Sequence, residues 1–463
     1  MKHELLVTAI IFILLFIKLA SKEWSNRSVL QWANILLLIN LLAGFFMNRT
    51  GTLFGDMFRN NDLVVLQKNI LNFGALIISL ISYNWLLKHR HAAEFMILML
   101  STLLGMFFMI SSQNLLMFYL GLELASIPLA SMANFNLEER RSSEAALKYI
   151  MSSAFASAIL LFGISMMYGV AGTLNFAALQ NAASNNPMFL FAFILFLAGL
   201  GFKISAVPFH LWTADVYEGA PVAVTAYLSV VSKGAMVFVM ASMLYHVFGN
   251  IFAEWRHILL LLALASVMLG NLFALRQQNI KRFLAFSSIS QMGFILIGLL
   301  GGKTMGVSTV IYFVLVYLFS NLAVFGVVSV VAQQTGRENI FDYKNFYKTN
   351  RPLSWIMALG LFSLAGIPPT AGFFGKFFLI LSAAGAMNVV LISIAALNIV
   401  VSFYYYLRII KAMFMDANTD SLPAIEVNIQ PRIALWLCTA GIIVTGVMSQ
   451  AYEYIAELVK TVW

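Results

Sequence analysis

Residues 203–221 read KISAVPFHLWTADVYEGAP, inside an apolar segment of membrane-spanning length. Lys203 and Pro208 stand where a crossing helix should be uninterrupted. Proline removes a backbone donor and breaks a helix. At membrane depth a break is tolerated only where the freed groups are buried in protein or face a cavity. A second stretch repeats the arrangement: GIPPTAGFFGK, residues 366–376, puts Pro368 and Pro369 ahead of Lys376. Two Pro-broken spans, each with a lysine near the break and five spans apart, are what two inverted five-helix repeats produce. Five is odd, so the second repeat lies upside-down relative to the first.

The rest of the chain supports a membrane reading. It has 463 residues, 61% hydrophobic and only 10% charged, with mean hydropathy +0.88. No soluble domain of this size has that composition. Apolar runs that match a ~30 Å hydrocarbon core recur throughout. They lie near 4–20, 29–47, 69–87, 94–111, 114–134, 143–169, 187–210, 221–247, 258–275, 281–301, 305–333, 353–386, 388–412 and 432–451. The expected fold is an all-α polytopic membrane protein of about fourteen transmembrane helices in a single transmembrane domain, 1–463. Residues 1–90 hold spans one to three and 91–250 the first repeat, spans four to eight. Residues 251–415 hold the second repeat, spans nine to thirteen, and 416–463 the last span. The 353–386 segment is too long for one straight crossing and needs a tilt or a break.

Charge sets the orientation. With fourteen spans, both termini share a side. The loops opposite them carry seventeen Lys and Arg, against seven on the terminal side. The positive-inside rule therefore places both termini outside the cytoplasm. The net charge of +9 is mostly this bias. No basic amphipathic surface is present, so nucleic acid is not an expected partner. The first segment has Glu4 near its start and no small-x-small cleavage site, so it reads as a retained span. No targeting peptide is visible, which favours a bacterial inner membrane.

Cys438 is the single cysteine. An intrachain disulfide and any cysteine-based metal or iron–sulfur site are excluded. The six histidines show no HExxH or similar spacing, and no GxGxxG or P-loop occurs. The chain thus carries no visible redox centre or nucleotide site.

Five charged residues are stranded in apolar segments: Glu123, Lys148, Lys203, Lys233 and Lys376. A charge at the bilayer centre costs roughly 2.5–3.5 kcal/mol on insertion scales, so such a set points to ion or proton handling. Glu123 lies mid-segment in SSQNLLMFYLGLELASIPLASMANF; its bland role is to pin a neighbouring helix through a lysine. Lys148 has Glu144 four residues earlier and is near enough to an interface to snorkel. Lys203 and Lys233 lie too deep for that. A lysine out of water and without a carboxylate can exchange a proton that a solvated one would hold. His210, seven residues after Lys203, falls two turns along the same helix if the break permits, where an imidazole could pass protons. Ser287, Ser288, Ser290 and Gln291 in RFLAFSSISQMGF could hydrogen-bond waters between the halves, or serve helix packing.

Five stretches together resemble the antiporter-like membrane subunits of respiratory NADH:quinone oxidoreductase, most closely the chain N type. They are GLELASIP (121–128), SEAALKYIMSSAFASAILLFGISMMYG (143–169), KISAVPFHLWTADVYEGAPVAVTAYLSVVSKG (203–234), NIKRFLAFSSISQMGF (279–294) and LAGIPPTAGFFGKF (364–377). They appear in the family's order and cover roughly 90–415. The resemblance implies fourteen spans, two inverted repeats and a half-channel from each. It implies a Glu–Lys pair on spans five and seven, a central lysine on span eight and a lysine or glutamate on span twelve, which fall on Glu123, Lys203, Lys233 and Lys376. Lysine at the last position is like chain N. The long lateral helix of the largest sister subunit is not expected. NAD, FMN, iron–sulfur clusters and quinone are expected on partner membrane and peripheral subunits, with none of these cofactors on this chain.

The expected function is proton translocation driven by redox chemistry elsewhere. Protons enter from the cytoplasm, reach Lys233 and leave outward by Lys376, with Glu123 and Lys203 as a switchable pair. A subunit of a multisubunit sodium/proton antiporter is the alternative, differing in energy source and partners. A stand-alone anion transporter would need a compact substrate site, and a bare scaffold leaves the buried lysines without a purpose.

Overall fold

The computed structural model describes residues 1–20, 25–46, 50–182, 186–385, 387, 389–416 and 422–462. Lys22 and the expected span limits at 47, 386 and 388 lie outside the described residues.

The chain opens with α1 (Lys2–Ala20) and α2 (Asn26–Phe46), then a hairpin of β1 (Gly51–Leu53) and β2 (Phe58–Asn60). The first repeat expected from sequence covers α4 (Ala92–Ser111) through α11 (Lys233–His246), after α3 (Asp62–Lys88). Between them lie α5 (Leu115–Ala133), α6 (Arg140–Ala171), the short α7 (Phe176–Ala182), α8 (Pro187–Ile204), α9 (Leu211–Gly219) and α10 (Val222–Tyr227). A π-helical turn, Leu228–Ser232, joins α10 to α11. Then come α12 (Phe252–Ala274), α13 (Ile280–Leu299), α14 (Val307–Thr335), the one-turn α15 (Phe346–Thr349), α16 (Arg351–Ala365), α17 (Ala371–Ala383) and α18 (Val389–Phe414). α19 (Ile429–Val447) and α20 (Gln450–Val462) close the chain.

Twelve helices among the described residues are long and apolar enough to cross a membrane. The other two expected spans are built differently. α1 carries Lys2, Glu4 and Lys18, and the twelfth span is the pair α16 and α17, separated at Gly366–Thr370. The long 353–386 segment is therefore broken, not tilted. The seventh span is likewise two helices, α8 and α9. Two elements went unread in the sequence: the hairpin, and α20, an amphipathic helix whose Ile455 and Val459 are buried.

Burial separates the helices into a protected axis and an exposed rim. In an 18-residue apolar window of each, 89% of Val222–His246, 94% of Ile280–Leu299 and 89% of Gly302–Thr335 is buried, against 22% for Val389–Phe414. The axis helices read as apolar all round with polar residues interspersed, the pattern of a helix enclosed by protein. Glycine permits the tightest crossings. At Gly105 of α4 an added Cβ would meet the Ala125 amide nitrogen at 2.5 Å, so α4 and α5 touch backbone to backbone. At Gly372 of α17 it would collide with the Ser363 carbonyl, so the two halves of the broken twelfth span also meet backbone to backbone.

Candidate proton path

The two breaks end their first half-helix in the same way. α8 stops at Ile204, where Ser205 adopts φ 61° and its N–H returns to the Gly201 and Phe202 carbonyls. α16 stops at Ala365, where Gly366 adopts φ 88° and bonds to the Phe362 and Ser363 carbonyls. A left-handed residue is the usual helix stop, and glycine takes it without penalty. Ser205 does so against its preference. The backbone groups freed at each break find specific partners. Trp212 Nε1 donates to Phe202 O at 3.2 Å, and the backbone N–H of Val207 donates to Ser266 Oγ of α12 at 2.9 Å. At the second break Lys376 Nζ donates to Leu364 O at 2.7 Å and to Ala365 O at 3.0 Å. Lys376 is thus held by a helix C-terminus, where the carbonyl end of the peptide dipoles favours a cation.

Lys233 is the first residue after the π turn, the kind of bulge that often marks a functional position. It is 1% exposed. Its Nζ donates to Ser288 Oγ of α13 at 2.6 Å and lies 5.3 Å from the centroid of the Tyr217 ring. Ser229, inside the π turn, bonds Tyr317 at 2.9 Å and accepts from Asn321 Nδ2 at 3.1 Å, both on α14. From Ser288 the polar groups continue along α13. Ser287 bonds the Tyr406 hydroxyl, and Gln291 Nε2 donates to that hydroxyl at 3.2 Å and to Leu364 O at 3.0 Å. Leu364 O is the same carbonyl that holds Lys376. Polar side chains therefore lie between Lys233 and Lys376: Ser288 bonds Lys233, and its chain neighbour Ser287 joins Tyr406 and Gln291, which reaches the carbonyl holding Lys376. Of the four residues that sequence left between water-binding and packing roles, Ser287, Ser288 and Gln291 belong to this set, while Ser290 Oγ is buried without a hydrogen-bond partner.

Glu123 and Lys203 are neighbours but not a closed ion pair. Lys203 is 8% exposed and its Nζ donates to Ser126 Oγ at 2.7 Å and Ser153 Oγ at 2.8 Å. Ser126 follows Glu123 by three residues on α5, so both occupy one face of that helix. Glu123 Oε1 is buried with no hydrogen-bond partner. A small cavity of about 10 Å³ separates Lys203 and Ser126 from Ser232, the residue before Lys233. That is about the space one water occupies.

Lys148 lies apart from this route. It is 43% exposed on its side chain and pairs with Glu144 at 2.8 Å, as the spacing predicted, and with Asp215 of α9 at 2.7 Å. Asp215 also binds Arg282 of α13 at 2.7 Å, and Arg282 reaches Glu218 at 2.9 Å. His210 corrects an expectation. The break intervenes, so His210 is the N-cap of α9 and does not share a helix with Lys203. Its Nδ1 is buried without a partner.

Sequence reasoning missed one buried pair entirely. Lys68 is one of the seven basic residues that the sequence reading counts on the terminal side, outside the spans. It lies inside α3 with a fully buried side chain, paired with Glu4 of α1 at 2.6 Å and donating to Asn60 Oδ1 at 3.1 Å. The apolar run Leu63–Leu66 ahead of it was the available signal that the helix had already begun.

Comparison with known proteins agrees with this architecture. The family model described as NADH:quinone oxidoreductase/Mrp antiporter, TM matches residues 112–402. NADH-quinone oxidoreductase subunit N of Azobacteroides pseudotrichonymphae genomovar. CFP2 is 45% identical over 462 residues, 98% of this chain and 96% of that protein. A chain of respiratory complex I from Thermus thermophilus with bound Aureothin superposes with TM-score 0.83 at 27% identity, covering 97% of each chain. A chain of the Mrp complex from Dietzia sp. DQ12-45-1b shares the fold, with TM-score 0.88 at 19% identity over 99% of this chain and 96% of that one. At 45% identity along nearly its whole length, and with the family's core covered by the model match, this chain belongs to the NADH-quinone oxidoreductase subunit N family.

Proposed function

We propose that this chain is a proton-translocating membrane subunit of a respiratory NADH:quinone oxidoreductase, working with the other membrane and peripheral subunits of that complex. The observation that carries the reading is the set of buried polar side chains between Lys233 and Lys376: Ser288, Ser287 and Gln291 of α13 and Tyr406 on the inner face of α18. Hydrogen-bonding groups shielded from lipid on both sides supply what a proton needs to cross: successive sites and no leak.

In this reading Lys233 is the central store. It passes a proton through Ser288, Ser287, Tyr406 and Gln291 toward Lys376, and Lys376 releases it on the side of the termini. Both termini are assigned to the non-cytoplasmic side of the inner membrane on the loop-charge asymmetry. Glu123 and Lys203 act as the switch. Here Lys203 is held by two serine hydroxyls and Glu123 Oε1 is unpaired, which is how the open position of such a switch should look. Closing the pair stabilises the lysine's charge, and opening it favours release. The five-span blocks 91–250 and 251–415 keep their assignment as inverted repeats, each with one broken helix. NAD, FMN, iron–sulfur and quinone chemistry is assigned to partner subunits, because the sequence has one cysteine and no nucleotide motif. The sodium/proton antiporter alternative rests on the shared family model and on a fold likeness at 19% identity, against relatives of 45% identity on the oxidoreductase side.

The test is Lys233→Ala in the whole complex, reconstituted in vesicles, with acidification of the lumen followed during NADH oxidation. Proton transfer by a positioned group is worth about a hundredfold or more. Pumping should collapse while assembly persists. Normal pumping by the assembled variant would reject the reading.

A further inference from the structure

The polar set between Lys233 and Lys376 takes one hydroxyl from a helix that apolar packing holds only weakly. Tyr406 stands on α18, and 22% of that helix's 18-residue apolar window is buried. Its face Ile392, Ala396, Ile399 and Phe403 lines an apolar cavity of about 380 Å³ shared with α17. Dense packing is what normally fixes a side chain, and α18 has little of it there. Yet the Tyr406 hydroxyl meets both Ser287 and Gln291 of α13. Such bonds are lost when donor and acceptor drift beyond about 3.5 Å or out of line. Something besides apolar packing must set its position.

The preceding residue provides the hold. Tyr405 is fully buried, and its hydroxyl donates to Asn271 Oδ1 of α12 at 2.9 Å. Asn271 Nδ2 donates to Asn398 O at 2.9 Å and to Asn398 Oδ1 at 3.2 Å. Asn398 precedes Tyr405 by seven residues, so one carboxamide of α12 grips residues two turns apart on α18. Arg408 of α18 donates from Nη1 to Leu275 O at 2.7 Å and from Nη2 to Gln277 O at 2.8 Å, at the end of α12. α12 is in turn locked to α13. At Gly270 an added Cβ would meet the Ser290 amide nitrogen at 2.7 Å, and at Gly293 the Ala263 carbonyl at 2.8 Å, so the two backbones touch at both places. Asn271, the neighbour of Gly270, therefore sits on the same rigid unit as Ser287 and Gln291. The Phe283 ring of α13 stands edge-on to Tyr405 at 5.4 Å and to Tyr406 at 5.8 Å.

We propose that Asn271 is a positioning residue of the proton path: through Tyr405 it fixes α18 on α12 and so keeps the Tyr406 hydroxyl at Ser287 and Gln291. The inference rests on the proton-translocation reading above and adds what holds Tyr406 in place. Among the described residues the Asn271 side chain bonds Tyr405 and Asn398, not the path side chains. It acts by way of the backbone that Tyr405 and Tyr406 share. A misplacement of about 1 Å far from the chemistry can cost about a hundredfold in rate. The static alternative is that Asn271 joins α12 to α18 and nothing more. Its removal then weakens the fold and leaves assembled complexes pumping normally.

The test uses the whole complex in vesicles and reads lumen acidification during NADH oxidation, with assembly followed on a native gel. The variants are Asn271→Leu, Tyr405→Phe, Tyr406→Phe and the double change Asn271→Leu with Tyr406→Phe, with Lys233→Ala as reference. Tyr405→Phe removes one hydroxyl and keeps the ring. In assembled complexes Asn271→Leu should slow acidification about tenfold, and Tyr405→Phe should slow it in the same direction. The double variant should be no slower than Tyr406→Phe alone, because the positioned group is already gone. Parental acidification by Asn271→Leu, Tyr405→Phe or Tyr406→Phe, or multiplied losses in the double variant, overturns the inference while leaving the Lys233 reading intact. Should Asn271→Leu fail to assemble, Tyr405→Phe, alone and combined with Tyr406→Phe, decides by the same criteria. Parental pumping by Lys233→Ala overturns both together.

Discussion

Gln291→Leu separates a packing role from a conducting one, because the structure makes its stability cost small. Gln291 Nε2 gives two hydrogen bonds, to Tyr406 and to Leu364 O. Each is worth about 0.5–1.5 kcal/mol net. Neither acceptor is orphaned by the change: Tyr406 keeps Ser287, and Leu364 O keeps Lys376. Gln291 Oε1 is already a buried acceptor without a partner. Removing it relieves about 1–3 kcal/mol of desolvation penalty. The gains and losses nearly cancel, and leucine fills a similar volume, so the net effect on folding should stay within about 1–2 kcal/mol. The effect on conduction is different in kind. Among the described residues Gln291 is the one side chain that bonds both Tyr406 and the carbonyl holding Lys376. With leucine there, proton transfer toward Lys376 should slow at least about tenfold. The assay is lumen acidification per NADH oxidised in vesicles, alongside assembly of the complex on a native gel. An assembled Gln291→Leu complex with the parental proton yield would refute the conducting role. Loss of assembly would refute the stability argument.

Glu123→Gln should leave assembly intact, since the carboxylate makes no closed ion pair, and should reduce pumping strongly; parental pumping would mark Glu123 as structural only. Lys203→Ala should impair pumping more than Lys148→Ala, because Lys148 is largely exposed and bound to two carboxylates; the reverse order in the same assay would overturn the ranking. Lys233→Arg should fail as Lys233→Ala does, because arginine does not release its proton in this pH range. Lys68→Met should destabilise α1 against α3 by up to about 3–5 kcal/mol, since Glu4 stays buried and keeps only the more distant Met1 amino group at 3.5 Å, whereas the double change Glu4→Leu with Lys68→Met should recover most of that loss. Thermal unfolding of the solubilised complex reads this directly, and equal loss in single and double variants would contradict the pairing argument.

What the sequence determined follows from signals that are local. Hydropathy over a window of membrane length locates a span whatever its neighbours are, which is why the spans and both broken helices were legible from composition and proline alone. A buried lysine in such a window is conspicuous because its cost is paid within its own segment. That singled out Lys203, Lys233 and Lys376. Lys148 was legible for the same reason and ambiguous for it too, since only the position of α9 supplies Asp215.

The tertiary structure decided the partners. Ser288 is 55 residues from Lys233, and Tyr406 is 119 residues from Ser287, so no window contains both ends of either contact. Serine, glutamine and tyrosine carry no charge and cost little in a helix, so nothing in the sequence distinguishes those that line the path from those that pack. Lys68 escaped for a related reason. It sits close to a helix end, where a lysine normally reaches water, and only the docking of α1 beside α3 encloses it and brings Glu4 to it. The break between Lys203 and His210 was read correctly as a break, yet the direction α9 takes after it depends on what it packs against, and that removed His210 from the Lys203 helix. Sequence fixes where a membrane helix runs and which charges it must carry; the packing of one helix on another fixes what those charges touch, because each such contact joins residues that only folding makes neighbours.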